Sequence, residues 1–137
     1  MKLVVNLMLG IGMQSLAEAV SLGEHLHLDK TVLLDVLSKT TVVPPALVGK
    51  LKKIEANDYS PQFPLRLMSK DMDLILETAR AVGAELPAGC AAKSVLDANL
   101  KTSGDLDLSA IAPFVFNHPS ESVLRQVPET DTDSARK

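Results

Sequence analysis

The sequence predicts an all-α fold, a helical bundle around one long, buried N-terminal helix with no Rossmann domain. Apolar residues recur at steps of three and four along the chain, the signature of one buried helix face. No segment shows a convincing period-two alternation; the VVNLML stretch is apolar, but it lies inside a longer helical pattern. Prolines stand where helices begin and glycines where they end.

The first helix is expected from Lys2 to about Leu26, which at 1.5 Å per residue spans about 37 Å. Leu9, Leu16, Val20 and Leu26 form its stripe, with Met13 between. Apolar residues lie on nearly all its sides, so other helices should wrap it. Gly10, Gly12, Ser15 and Gly23 are small enough to admit close contacts. Two other readings apply to the same residues. Lys2, an apolar run and Ala17-Glu18-Ala19 resemble a signal peptide, which would make this a secreted helical protein with residues 1–19 removed. The run also scans as a membrane span, although Asn6, Gln14 and Glu18 interrupt it. The periodic stripe continues past Ala19 into VSLGEHLHLD, so cleavage there would cut it in half. That continuity favours the buried helix and no membrane.

Asp29 is a good N-cap for a second helix through about Leu37. Pro44-Pro45 breaks the chain and opens a third helix from Ala46 to Glu55. Asn57 to Pro61 reads as a loop. Pro64 precedes the most regular segment, with Leu65, Met68, Met72, Ile75, Ala79 and Val82 on one face and Gly83 as its stop. Pro87 opens a helix containing Ala91, Val95 and Leu100 that ends at Gly104, and DLDLSAIAPF adds a short one. The text from Asn117 onward is polar and proline-containing. The expected division is a domain over residues 1–115 and a polar tail over 116–137, with SESVLRQV as a transient turn within it.

Composition narrows the function. The chain has 137 residues, room for one domain and a tail. Fourteen basic against seventeen acidic residues give a net charge of −3, which argues against nucleic acid as a partner. Aromatics are 3% of the chain, too few for a stacking surface. The single cysteine, Cys90, precludes an internal disulfide and suits a reducing, cytoplasmic setting; near a helix start without a base partner, it reads as a small buried residue. His25 and His27 are two apart, which on a helix points the rings away from each other, so no metal site is expected. Met8, Met13, Met68 and Met72 read as core filling.

Two constellations carry candidate chemistry. Lys2 and Asn6 are four apart and share one helix face. An amine can exchange a proton with a substrate oxygen while a carboxamide holds its geometry. On spacing alone the pair also fits a solvated helix face. In FPLRLMSKDMDL, Phe63 and Lys70 are seven apart, two helical turns, with Asp71 next to Lys70. A solvated amphipathic face explains that spacing equally well.

The order of these segments adds what neither shows alone. KLVVNLMLGIGMQSLAEAVSLGEHLHLD resembles the long helix opening the C-terminal domain of the β-hydroxyacid dehydrogenases, the group of 3-hydroxyisobutyrate dehydrogenase and glyoxylate/succinic semialdehyde reductase, related to 6-phosphogluconate dehydrogenase. The family's Lys-x-x-x-Asn is matched by Lys2 and Asn6, its Phe…Lys-Asp segment by Phe63, Lys70 and Asp71, and its D-x-S-A segment by Asp107, Ser109 and Ala110. The resemblance covers residues 1–115. It implies an oxidoreductase moving a hydride between NAD or NADP and a small carboxylate substrate, a β-hydroxyacid or short aldehyde acid. It implies Lys2 as general acid/base, Asn6 as a hydrogen-bond partner of the substrate, Lys70 approaching the cofactor, and Phe63 and Asp71 lining the cleft.

The sequence departs from that family in two places. It holds no G-x-G-x-x-G fingerprint, so hydride transfer is expected only with a Rossmann-domain partner. His27 stands where the family commonly has the glycine ending the long helix. A non-enzymatic helical dimerisation module is the competing reading, because so apolar a first helix should self-associate, giving a homodimer.

Overall fold

A computed structural model describes residues 1–117; the tail expected beyond Asn117 lies outside the described residues. Its described part has six α-helices: α1 (Lys2–His25), α2 (Lys30–Lys39), α3 (Pro45–Ala56), α4 (Leu65–Ala81), α5 (Pro87–Ser103) and α6 (Ile111–Asn117), with a one-turn 3-10 helix at Leu108–Ala110. Among these residues there is no strand, only an isolated bridge between Pro64 and Asp107. The all-α expectation holds. The short C-terminal helix runs to Asn117, two residues past the expected domain end.

The punctuation acts as the residue types dictate. The Asp29 carboxylate accepts from the Val32 N–H at 2.9 Å and caps α2. Pro45 and Pro87 occupy first-turn positions, where the missing N–H costs nothing. Three helices end through one left-handed residue, at His27 (φ 59°), Asn57 (φ 50°) and Gly83 (φ 71°). In each, the following N–H reaches five residues back: Leu28 to Gly23, Asp58 to Lys53, Ala84 to Ala79. His27 performs the turn that glycine performs most easily.

Helix α1 packs against α4 along a tight seam. Asn6 meets Asp71, and one turn on, Gly10 faces Met68 and Met72. A Cβ on Gly10 would lie 3.0 Å from the Met72 sulfur and 3.2 Å from that of Met68, so glycine is what lets the helices close. Farther along, Gly12 faces Leu47 of α3 and Gly23 faces Leu33 of α2. Helix α5 clasps α4 through polar groups: Ser69 Oγ donates to Asp97, and Lys93 binds both Asp97 and Asp73.

The core is Met13, Leu16, Ala17 and Val20 of α1 with Leu34, Leu47, Leu51, Ile54, Leu65, Met68, Met72, Ile75, Leu96 and Ile111. Three expectations about it need correction. Helix α1 is not wrapped on all sides: Val4, Val5, Met8 and Leu22 are exposed, so Met8 is no core residue and Leu26 leaves the stripe. Helix α5 buries Gly89, Ala92, Leu96 and Asn99, and Val95 and Leu100 pack partly buried against the same core. At the end of α4, Val82 is 73% exposed, because the helix ends before it. Cys90 is likewise exposed rather than buried. Helix α1 is also long and apolar enough to cross a membrane, but its Gly10–Gly23 stretch supplies one wall of this core.

Candidate functional site

The first turns of α1 and the middle of α4 bring three of the expected residues together. Asn6 Nδ2 donates to Asp71 Oδ2 at 2.6 Å, and Lys2 Nζ lies 3.9 Å from Asp71 Oδ1. The i,i+4 spacing stacks Lys2 over Asn6, and the α1–α4 seam delivers the carboxylate to both. The Asp71 side chain is 15% exposed, whereas that of Lys2 is 77% exposed. Asn6 is thus fixed from behind by a carboxylate, which orients its amide N–H toward Asp71. The Lys2 ammonium sits above it, open to whatever approaches. The long, exposed Lys2–Asp71 pair contributes little to stability.

Lys70 is exposed and, as the neighbour of Asp71 on α4, projects from an adjacent direction. Phe63 is placed differently from expectation. Helix α4 starts at Leu65, so Phe63 precedes it and the two-turn spacing to Lys70 does not place them on one helix face. Its side chain is half-buried against the core. What holds Phe63 is its backbone: its N–H donates to Asp107 Oδ2 at 3.1 Å, and its carbonyl accepts from Leu108 N–H at 2.9 Å.

Asp107 is the centre of a second polar cluster. Fully buried, it accepts from Lys50 Nζ on both oxygens at 2.9 and 2.8 Å. Oδ1 also takes the N–H and hydroxyl of Ser109, and Oδ2 the N–H groups of Gln62 and Phe63. Burial alone would raise its pKa. The Lys50 ammonium, both Ser109 donors and the Phe63 N–H outweigh that and hold the carboxyl well below the usual carboxylate range. Ser109 is equally buried, which explains the aspartate and serine of the D-x-S-A segment structurally.

Lys50 was not among the expected site residues, yet its spacing signals its place. It falls on the stripe Leu47, Leu51 and Ile54 of α3, and a lysine on an apolar stripe needs a buried acceptor. Lys53, one turn on, is also buried and donates to the Ser60 carbonyl at 2.8 Å, tying down the 57–62 loop.

Among the described residues no group of three or more His, Cys, Asp or Glu could hold a metal ion. Nor do the described residues build a glycine-rich strand-to-helix turn for a dinucleotide pyrophosphate. Lys70, expected to approach such a cofactor, is exposed on α4.

An all-α unit of six helices opened by one long helix has the fold of a dehydrogenase C-terminal domain. The chain belongs to that family: residues 1–115 match the model described as NAD-binding of NADP-dependent 3-hydroxyisobutyrate dehydrogenase. The 3-hydroxyisobutyrate dehydrogenase of Pseudomonas aeruginosa is 34% identical over 120 residues, covering 80% of this chain and 40% of that protein. Glyoxylate/succinic semialdehyde reductase 1 of Arabidopsis thaliana is 33% identical over 112 residues, covering 81% of this chain and 39% of that protein. The crystal structure of a 3-hydroxyisobutyrate dehydrogenase from Salmonella typhimurium superposes with a TM-score of 0.77 over 82% of this chain and 40% of that one, at 24% identity, and so supports the fold. The chain spans about two fifths of the length of the relatives it matches.

Proposed function

We propose that this chain is the catalytic-lysine domain of an NAD(P)-dependent β-hydroxyacid dehydrogenase acting on a small β-hydroxyacid or short aldehyde acid. The observation that carries the reading is the convergence of Lys2, Asn6 and Asp71. A nicotinamide cofactor held by a partner domain would supply the hydride chemistry. The chain's own residues act on the substrate oxygen and carboxylate. Lys2 Nζ moves the proton to or from the substrate oxygen as general acid/base. Asn6 commits one Nδ2–H to Asp71, which leaves its second N–H to donate to a substrate oxygen. Asp71 orients Asn6 and draws the Lys2 ammonium toward the same point. Lys70 approaches the cofactor, and Phe63 supplies apolar wall to the cleft.

The exposure of Lys2 supports dependence on a covering domain, since proton transfer to a bound oxygen needs a closed, water-excluded site. A Rossmann-domain partner supplies both the cover and the nucleotide site. The exposed apolar residues Val4, Val5 and Met8 beside Lys2 support an assembled state, either with that domain or as a homodimer in the cytoplasm.

The test joins this chain to the nucleotide-binding domain of a 3-hydroxyisobutyrate dehydrogenase and follows NAD(P)H with 3-hydroxyisobutyrate, glyoxylate and succinic semialdehyde. The chain alone should show no turnover and the joined protein should. Lys2→Ala should then lower kcat by about 10²–10⁴-fold while cofactor affinity holds. Equal loss of both would make Lys2 structural. Turnover by the chain alone would contradict the dependence on a partner.

A further inference from the structure

Two parts of the proposed site, Phe63 and helix α4, are anchored at a single buried carboxylate. Helix α4 begins at a proline and has no side-chain cap of its own. Its first two N–H groups are satisfied instead by carbonyls of the 104–106 segment, Leu65 donating to Leu106 and Arg66 to Gly104, both at 2.9 Å. That segment is in turn locked by Asp107, whose N–H donates to the Tyr59 carbonyl at 2.9 Å and whose side chain binds Gln62 and Phe63. Lys50 bridges both carboxylate oxygens and joins the arm holding residues 62–63 to the arm holding Ser109.

We propose that Lys50 and Asp107 are a buried positioning pair that seats Phe63 and the first turn of α4, and through that helix sets Asp71 against Asn6 and Lys2. The linkage is mechanical. Asp71 lies six residues beyond Leu65, about 9 Å along one rigid helix. Close packing around Met68 and Met72 passes an axial shift on rather than absorbing it. The Asn6–Asp71 bond at 2.6 Å tolerates little displacement before it breaks. The pair does not touch substrate. It acts through Phe63 and α4, and it matters to catalysis only insofar as the site reading above holds.

The Asn6 carboxamide resonances of the full 137-residue chain, observed by NMR, separate positioning from mere support of the fold. The variants are Asp107→Asn and the charge-neutral double variant Lys50→Met/Asp107→Asn, each first checked for native helical content. Positioning predicts that in a folded variant the Asn6 side-chain N–H signals shift and exchange with solvent severalfold faster, and that the Phe63 amide moves with them. A folded variant with lowered stability but parental Asn6 signals overturns the proposal. If neither variant folds, native-state hydrogen exchange on the parent chain decides. The amides of Gln62, Phe63, Leu65, Arg66 and Ser109 should open together with the Asn6 carboxamide. An Asn6 carboxamide that exchanges independently of them overturns it. Turnover plays no part in the readout, so this result and the dehydrogenase assay fail separately.

Discussion

Asn6 donates its amide hydrogen to Asp71 across 65 positions of sequence, at 2.6 Å, and this bond joins the two helices that carry the proposed site. A charge-assisted bond of this kind contributes about 1.5–3 kcal/mol when it is shielded from water. Asp71 is shielded and Asn6 only partly, so Asp71→Ala should cost about 1–2 kcal/mol in urea unfolding. In the joined two-domain protein the same change should lower kcat more than it raises KM, because a freed Asn6 carboxamide no longer holds one orientation. An unchanged kcat would remove Asp71 from the site.

The buried pair at Asp107 gives the chain an acid-sensitive component of stability. The folded carboxyl titrates well below its unfolded value near pH 4. A depressed folded pKa contributes stability that is fully present above the unfolded value and is lost as pH falls toward the folded one. Unfolding free energy should therefore decline below about pH 4. Asp107→Asn should show a shallower decline, together with a loss of about 3–5 kcal/mol at neutral pH for stranding the Lys50 charge. Parallel pH profiles for the two proteins would show that Asp107 is not the group responsible.

His27 holds the left-handed position that closes α1, at φ 59° and exposed to solvent. Glycine removes the Cβ conflict there, partly offset by its larger unfolded-state entropy. His27→Gly should raise stability by about 0.5–1 kcal/mol. Asn57→Gly, at φ 50°, should gain less, because asparagine tolerates this region well. Thermal melts of the two variants side by side check the ranking.

Gly10 faces α4 against two fully buried methionines, Met68 and Met72. Gly10→Val should cost about 1–3 kcal/mol by overpacking. It should also perturb the Asn6 side-chain signals one turn away, since the displaced helix carries Asn6. A variant that melts like the parent would mean that Met68 and Met72 repack freely.

Much of the helical order was legible in local sequence. Asp29, Pro45, Pro87 and Gly83 act within their own turns, and capping chemistry is a local property that reads directly from residue type. The α4 stripe from Leu65 to Ala79 is buried as its periodicity requires. The exposed side of α1 was not legible. Val4, Val5 and Met8 are as apolar as Met13 and Leu16, and hydropathy does not say how many neighbours a helix has to cover it. On α5, Ala91 is exposed and Ala92 buried, because neighbouring alanines carry too weak a contrast to mark which side is inward.

By itself, the sequence determined that the chain is helical, where its helices start and stop, and that Lys2 and Asn6 share a face. All of these follow from interactions within a few residues. Only the tertiary structure decided that Asp71 closes on Asn6, that Phe63 stands outside α4, and that Lys50 and Asp107 meet in the core. Those are contacts between residues 44 to 65 positions apart. They depend on the angle and register at which whole helices pack, which periodicity within one helix does not encode.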